Sequence, residues 1–288
     1  MKPVDLHAHT TASDGSLSPT ELVRHAVGVG LGGLAVTDHD TTDGLAEAAG
    51  AAEELGLRFL SGVELSMVYS GHFHLLGYGI QVGRGSLCER LAELRRQRAS
   101  RNEVMVGKLN DLGVHVTLRE VEAEAGGKVV GRPHMALALL RKGYVSSTQD
   151  AFNRFLAKGA LAYVPKAQLE PEEGFALIRD GGGLPVLAHP MTLKLGEAEL
   201  EGRLREWKAQ GLGGIECYYQ RHTEDQTEMY LRLADRLGLV PTGGSDFHGE
   251  AKPKVALGDV RGGQALPMEV MDRLVEAIEA IRAASAAA

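Results

Sequence analysis

The sequence predicts an α/β protein built around a parallel sheet or a β/α barrel. Short runs of β-forming residues alternate with helical stretches along most of its 288 residues, which is the order of elements in such folds. Glycines stand where helices are expected to end before the next strand, at Gly56, Gly211 and Gly238. Histidines and carboxylates follow several of the strands, as the functional residues of barrel enzymes do. A chain of this length can bury the core of one large barrel domain or of two smaller domains.

Seven strands are predicted, at residues 4–6, 33–37, 58–63, 73–78, 184–188, 214–217 and 239–242. One helix is predicted to begin at Ser18, because Ser18-Pro19-Thr20-Glu21 combines a capping box with proline at the first helical position. Further helices are predicted at residues 44–55, 172–180, 200–210 and 224–237, with a final helix from Met268.

Residues 87–166 break this alternation. Helical patterns follow one another there, at residues 87–112, 117–125, 134–142 and 148–156. We therefore predict a barrel domain formed by residues 1–86 and 167–288, with residues 87–166 as a helical insertion that covers the active site. The first of these helices is rich in arginine, and a solvent-exposed helix face is the simplest explanation for most of these residues: Arg90, Arg95, Arg96, Arg98 and Arg101.

The composition excludes several classes of protein. The hydrophobic and charged fractions, 44% and 24%, are ordinary for a globular protein, and no run approaches the roughly 18 apolar residues of a membrane helix. The first residues show no signal-peptide pattern and the two cysteines provide no disulfide framework, so we expect a cytoplasmic protein. The formal charge of −7 disfavours long duplex nucleic acid but allows a short oligonucleotide in a local pocket.

Two histidines follow the first predicted strand. Alternation along a strand turns His7 and His9 to the same side, where both imidazoles can reach one metal ion. One such pair is weak evidence, because ordinary structure explains it as well. Further residues that can ligate a metal stand at or near the ends of other strands, and independent structural roles would scatter them over both ends. These residues are Asp14, His39, Glu64, His74, His189, Asp246 and His248. The sequence therefore predicts one multinuclear metal site with nine ligands.

The motifs around these residues resemble those of the polymerase and histidinol phosphatase (PHP) domain family of metal-dependent phosphoesterases. They occur in the order of the family, and as a set they are highly specific. The matching segments are Asp5-Leu6-His7-Ala8-His9, Ser13-Asp14-Gly15, Thr37-Asp38-His39-Asp40, Gly62-Val63-Glu64, His74-Leu75-Leu76-Gly77, Ala188-His189-Pro190 and Gly244-Ser245-Asp246-Phe247-His248.

This resemblance implies a distorted seven-stranded β/α barrel with two to three divalent metal ions. The first ion would be held by His7, His9, Glu64 and Asp246. Glu64 would bridge to a second ion, completed by His74 and His189. The third ion would be held by Asp14, His39 and His248. Mixed ligation by histidines and carboxylates suits Mn, Fe or Zn.

Two aspartates next to the ligands, Asp5 and Asp38, are expected to orient ligand histidines from behind, with the capping of turns as a close alternative. Three residues at the end of the sixth predicted strand, Glu216, Tyr218 and Tyr219, are candidates to line a pocket for a base or a sugar. Core packing explains the two tyrosines equally well.

One motif of the insertion, Gly131-Arg132-Pro133-His134, resembles the branch of the family that includes a nucleoside 3′,5′-bisphosphate phosphatase and exoribonucleases. In that branch the arginine and the histidine contact the substrate phosphate. The resemblance implies that Arg132 and His134 bind substrate and take part in catalysis. A surface arginine and an early helical histidine are the alternative. Lys166 is a weaker candidate for phosphate binding.

The resemblance implies hydrolysis of phosphate esters in small nucleotides, such as the 3′-phosphate of a nucleoside 3′,5′-bisphosphate or a linkage in short 5′-phosphorylated RNA. The alternatives are a histidinol-phosphate-type phosphatase, an amidohydrolase and a non-catalytic metal-binding module. An amidohydrolase typically uses a carbamylated lysine or a carboxylate after the fourth strand, where this chain has His74.

Overall fold

The computed structural model describes residues 2–69, 71–81, 85–125, 130–260 and 263–286. Its seven strands form one sheet in which each strand pairs with its neighbour in the chain. Each predicted strand is present, and β3 continues four residues beyond its predicted end. The strands are β1 (Val4–Asp5), β2 (Gly33–Val36), β3 (Arg58–Met67), β4 (Phe73–Tyr78), β5 (Leu184–Leu187), β6 (Gly214–Tyr219) and β7 (Val240–Gly244).

The helices of the described residues are α1 (Pro19–Gly28), α2 (Leu45–Leu55), α3 (Ser86–Asp111), α4 (Leu118–Ala125), α5 (Arg132–Arg141), α6 (Thr148–Ala151), α7 (Pro171–Asp180), α8 (Glu197–Gln210), α9 (Glu224–Leu237) and α10 (Met268–Ala286). A π-helical turn, Phe152–Leu156, continues α6. The predicted capping box is present, because the Ser18 hydroxyl accepts from the Glu21 N–H and the Glu21 carboxylate accepts from the Ser18 N–H. None of the described helices is both long enough and apolar enough to span a membrane.

β4 runs against its neighbours. The strands β1 to β3 are parallel to one another, as are β5 to β7, and β4 is antiparallel to both β3 and β5. The expectation of parallel strands fails here because few residues separate Met67 from Phe73. A parallel pair needs a crossover of about a dozen residues or more. His74, near the amino end of β4, therefore lies at the same edge of the sheet as the carboxyl ends of the other strands.

The two ends of the sheet meet beside the first histidines. The His9 N–H donates to the Phe247 carbonyl (2.9 Å), the Asp246 N–H donates to the His7 carbonyl (2.8 Å), and Ala8 forms a parallel bridge with Phe247. The sheet is therefore a nearly closed barrel, which confirms the predicted seven-stranded fold.

The core of the barrel includes one face of α10. Val270, Met271, Leu274 and Ile278 are buried there against strand residues such as Val4, Leu76 and Val186. Each large aliphatic side chain buried in this way contributes roughly 1.5–3 kcal/mol to folding. The apolar stripe of α10 thus stabilises the strands that carry the candidate site.

The chain divides into two compact units. One comprises residues Met1–Arg90 and Gln168–Ala288 and contains the barrel, and the other comprises Leu91–Ala167 and is helical. The helical unit has its own apolar core, which includes Met105, Leu109 and Leu139. That the insertion covers the active site stays a prediction.

The arginines of α3 do not form a uniformly solvated face. Arg101 is only 9% exposed, and its guanidinium donates to the Asn102 side chain (2.7 Å). Arg90 forms an ion pair with Glu173 (2.7 Å). Arg101 is therefore an exception to the predicted solvent-exposed face. Helical periodicity could not indicate this, because it does not show what packs against each face of a helix.

Tyr78 connects β4 to the segment that carries the first candidate ligand. It is fully buried, and its hydroxyl donates to the carbonyl of Leu6 (2.8 Å), the residue before His7. Tyr78→Phe removes this donor, and we expect the free energy of unfolding to fall by about 1–3 kcal/mol. Tyr218→Phe is the control, because its ring packs on the same core and its hydroxyl has no hydrogen bond to any described residue. Chemical denaturation measures both variants, and equal losses would contradict this role of Tyr78.

Candidate metal centre

Glu64 lies at the centre of the candidate site. It is inside β3 rather than at its end, and only 1% of the residue is exposed. Nitrogens of five imidazoles lie 2.8–3.4 Å from its two carboxylate oxygens, from His7, His9, His39, His74 and His189. Burial opposes the charged form of this carboxyl, but the surrounding histidines hold its pKa well below the usual range.

The first group of candidate ligands combines the ends of β1 and β7 with Glu64. The Nε2 atoms of His7 and His9 lie 3.4 and 3.3 Å from Glu64 Oε2. The same two nitrogens lie 3.6 and 3.3 Å from Asp246 Oδ1. One ligand atom of each residue lies within 4.8 Å of those of the other three. These four residues are those that the resemblance assigns to one ion.

A second group forms around Asp14, whose side chain is 44% exposed. The Nε2 atom of His248 lies 3.3 Å from Asp14 Oδ1, and ring nitrogens of His9 and His39 lie 3.9 and 4.0 Å from the same carboxylate. The structure thus brings together the predicted Asp14, His39 and His248 and adds His9. Because the other ring nitrogens of His9 and His39 face Glu64, these two imidazoles lie between the groups.

A third group comprises Glu64, His74 and His39, whose ligand atoms lie within 4.8 Å of one another. His189, which the resemblance places here, contacts Glu64 Oε1 at 2.9 Å, and His74 contacts the same oxygen at 2.8 Å. The structure therefore brings all nine predicted ligands to one edge of the barrel. Which histidine binds which ion stays a prediction.

Several buried atoms of this cluster have no hydrogen-bond partner among the described residues. They are Nε2 of His7, both ring nitrogens of His9, Nδ1 of His39 and Oε2 of Glu64. An unpaired buried polar atom costs about 1–3 kcal/mol, so this arrangement is unfavourable as ordinary core packing. Two atoms that each ligate one ion at about 2.1 Å lie about 3.0–3.4 Å apart at octahedral or tetrahedral angles. The separations in the first group are close to this range, so these residues fit divalent metal ions.

The backbone at the end of β7 lies in close contact with the backbone of His7. A Cβ on Gly244 would overlap the backbone nitrogen and the Cβ of His7, so no other residue fits without moving His7. Two residues later Asp246 adopts a left-handed conformation (φ 57°), which is unusual for a residue other than glycine. Such strained positions cluster at functional sites, where the surrounding structure holds them.

A cavity of about 200 Å³ opens beside the cluster. Its lining includes several candidate ligands and two cationic side chains, Arg221 and Lys252. The Lys252 ammonium donates to Asp246 Oδ2 (2.6 Å), and the Tyr219 hydroxyl donates to the same oxygen (3.1 Å). Oδ1 of Asp246 is thereby left facing His7 and His9. Sequence reasoning missed both cations because they lie in loops outside every recognised motif.

Comparison with known proteins identifies the family. Residues 5–148 match the PHP domain. This chain belongs to the PHP domain family. The matched segment contains His7, His9, Asp14, His39, Glu64 and His74 of the predicted ligands.

Two curated relatives extend the PHP match over most of the chain. The 3′,5′-nucleoside bisphosphate phosphatase of Chromobacterium violaceum is 34% identical over 250 residues, which cover 86% of this chain and 88% of that protein. The 5′-3′ exoribonuclease of Haemophilus influenzae is 35% identical over 248 residues, with 86% and 90% covered. These matches confirm the predicted family and with it a hydrolase that acts on phosphate ester bonds.

Two solved structures share this PHP fold. One, from Bifidobacterium adolescentis, is of a protein assigned to the metal-dependent phosphoesterases, and it is 31% identical with a TM-score of 0.79 over 96% of this chain and 98% of that one. The other, from Chromobacterium violaceum, is named an amidohydrolase and contains sulfate and no metal. It is 32% identical with a TM-score of 0.76, and the match covers 94% of this chain and 96% of that one.

Glu216, in β6 of this PHP barrel, lies behind two of the candidate ligands, His7 and His189. It is fully buried, and its Oε1 is 2.9 Å from His7 Nδ1 while its Oε2 accepts from the His189 N–H (2.7 Å). This contact leaves Nε2 of His7 facing the cluster. The expectation that Glu216 lines a base or sugar pocket is therefore wrong. Tyr219 is also buried and bonds to Asp246, while Tyr218 packs on the core.

Asp5 and Asp38 organise the loops around the candidate ligands. Asp5 accepts from the backbone N–H groups of His7 (3.1 Å) and Ser245 (3.0 Å), which links the ends of β1 and β7. Asp38 accepts from the backbone and the hydroxyl of Thr10, both at 2.7 Å. Neither carboxylate bonds to an imidazole ring of the described residues, and the alternative of turn capping describes them correctly.

The remaining predicted site residues lie in the helical unit. Arg132 begins α5, its guanidinium donates to the Leu156 carbonyl (3.2 Å), and it lies 5.5 Å from the centre of the Tyr163 ring. His134 Nδ1 accepts from the Gly131 N–H (3.1 Å) and so caps the same helix. Arg132, His134 and Lys166 are each partly buried. Their contact with substrate stays a prediction.

Glu216→Gln tests the role of this buried carboxylate. The substitution keeps the volume but places an amide against His7 or the His189 N–H, so we expect metal affinity to fall by about 10–100-fold. Competition with a chelator, followed by elemental analysis, measures this without relying on activity. Glu224→Gln, at the exposed start of α9, is the control and should bind metal like the parent protein. Unchanged affinity in Glu216→Gln would contradict this role.

Proposed function

We propose that this chain uses two to three divalent metal ions to hydrolyse the 3′-phosphate of nucleoside 3′,5′-bisphosphates and the first linkage of short 5′-phosphorylated RNA. The observation that carries the proposal is the convergence of nine histidines and carboxylates beside a cavity that also exposes Arg221 and Lys252. The names of the two curated relatives support these substrate classes for this chain.

The charge of the loaded site supports a phosphate substrate. Three divalent ions against the carboxylates of Asp14, Glu64 and Asp246 leave a site of about +3. Such ions, which we propose to be Mn, Fe or Zn, supply Lewis acidity and lower the pKa of water. Arg221 and Lys252 add positive charge at the same cavity, which favours a phosphoryl group of high negative charge.

The residues of the chain supply orientation. Glu216 holds the ring of His7, and Lys252 and Tyr219 hold one oxygen of Asp246, so the ligand atoms are positioned before substrate arrives. Positioning of this kind favours hydrolysis because little reorganisation remains at the moment of reaction.

We further propose that Arg132 binds the 5′-phosphate of the substrate, with Lys166 assisting, and that His134 donates a proton to the leaving 3′ oxygen. A guanidinium binds phosphate through two parallel hydrogen bonds, and an imidazole titrates near neutral pH. The packing of Arg132 against the Tyr163 ring supports this role, because it holds the guanidinium in a defined orientation.

The partner we propose is a small phosphorylated molecule, either a nucleotide or a short oligoribonucleotide. The formal charge of −7 supports a small substrate over a long duplex. Both cysteines, Cys88 and Cys217, are free thiols, which supports the proposed cytoplasmic location.

The proposed function is tested by measuring hydrolysis of paired substrates with protein whose metal content has been determined by elemental analysis. Adenosine 3′,5′-bisphosphate is compared with adenosine 3′-monophosphate, and 5′-phosphorylated with 5′-hydroxyl oligoribonucleotides. We expect two to three ions per chain, and a kcat/KM that is at least about tenfold higher with each 5′-phosphate, because a charge-assisted contact contributes about 1.5–3 kcal/mol. Equal rates with and without the 5′-phosphate would leave only a general phosphoesterase.

Arg132→Ala tests the proposed contact to the 5′-phosphate. We expect the loss of transition-state stabilisation for the bisphosphate, calculated from kcat/KM, to be on the order of 2–4 kcal/mol. The metal content should be unchanged. Arg141→Ala is the control, since Arg141 lies in the same helix and is exposed in an ion pair with Glu124. If both variants retain the parent activity, Arg132 is an ordinary structural residue.

A further inference from the structure

A second cavity, of about 300 Å³, adjoins the one at the candidate metal centre. The two cavities share Tyr219, Arg221 and Lys252 in their linings. From these shared residues the second cavity extends along Pro253, Lys254 and Val255, and we call it the side groove. A ligand in the side groove would therefore be continuous with a phosphate bound beside the metal ligands.

The side groove is cationic in a chain whose formal charge is −7. Arg221 and Lys254 are exposed, and neither forms an ion pair with a carboxylate of the described residues. Exposed arginines of α8 and α9 are paired by contrast, since Arg205 and Arg236 both contact Glu201. Two unpaired cations beside a third, Lys252, give this groove a charge that suits an anionic ligand.

The proposed reaction determines which part of a substrate stays joined to the phosphate at the candidate metal centre. A water oxygen forms a bond to phosphorus as the bond from phosphorus to the 3′ oxygen of the first nucleotide breaks. The 3′ oxygen gains a proton, the water loses one, and the phosphate stays on the 5′ oxygen of the following nucleotide. RNA beyond the scissile phosphate is thus still joined to the group at the metal site. A nucleoside 3′,5′-bisphosphate has no nucleotide beyond its 3′-phosphate, so it leaves the side groove empty.

We infer that the side groove binds the nucleotide that follows the scissile phosphate of an RNA substrate, with Arg221 and Lys254 contacting its phosphate backbone. Pro253 and Val255 provide an apolar wall for its base or ribose, and sites for single-stranded nucleic acid typically combine such surfaces with a cationic track. The inference rests on the proposed function and adds a site that distinguishes its two substrate classes.

The test compares two substrates on the metal-loaded enzyme, adenosine 3′,5′-bisphosphate and 5′-phosphorylated triadenylate. For Arg221→Ala and for Lys254→Ala, the ratio of kcat/KM for the trinucleotide to that for the bisphosphate should fall about threefold to fivefold each. The slope of log KM for the trinucleotide against log salt concentration should also become shallower by about 0.7 for each lost phosphate contact. A purely structural effect of the substitutions would not change this slope selectively.

The control is the double variant Arg203→Ala with Arg232→Ala, which removes two exposed arginines from α8 and α9 and should leave the ratio as in the parent. An unchanged ratio in both groove variants, whether the rates on the two substrates fall equally or not at all, would overturn the inference. If the parent enzyme hydrolyses the bisphosphate but not the trinucleotide, the inference fails while the phosphatase function stands. Hydrolysis of neither substrate would remove the proposed function and the inference together.

Discussion

The site depends on a buried carboxylate among imidazoles. Glu64 lies in the interior of the barrel within 3.4 Å of five histidine side chains, and several of these polar atoms lack a hydrogen-bond partner in the described residues. An apolar core would not accept such a set without compensating charge, because desolvation of unpaired polar atoms is unfavourable. Several neighbouring residues hold these polar side chains in place. Glu216 holds one imidazole from behind, Lys252 and Tyr219 hold Asp246, and Gly244 lets β7 approach His7.

Much of this arrangement was accessible from the sequence because its signals are local. Alternation predicts that His7 and His9, just after β1, turn to the same side, a four-residue motif predicts the cap at Ser18, and β-rich runs predict all seven strands. The direction of β4 was also accessible in principle. Its connection to β3 is too short for a parallel crossover, so the length of that loop carried information that the strand pattern did not.

The remaining features of the site depend on contacts between residues that are far apart in the sequence. Glu216 and His7 are 209 residues apart, and nothing in the sequence around either one specifies the other. The burial of Arg101 depends on which helices pack against α3, whereas helical periodicity describes only one helix at a time. Arg221 and Lys252 reach the cavity from loops, where the chain has no periodic pattern to read.

The closure of the barrel has a consequence for how the protein is made. Asp5 accepts hydrogen bonds from Ser245, 240 residues later in the chain, and the same seam joins His7 to Asp246. At a synthesis rate of about 5–20 residues per second, the first ligands wait roughly 10–50 seconds for the last ones. During that interval the growing chain offers only part of the candidate ligand set. A tightly held ion would therefore be evidence that the barrel has closed, because its ligands come from both sides of this seam.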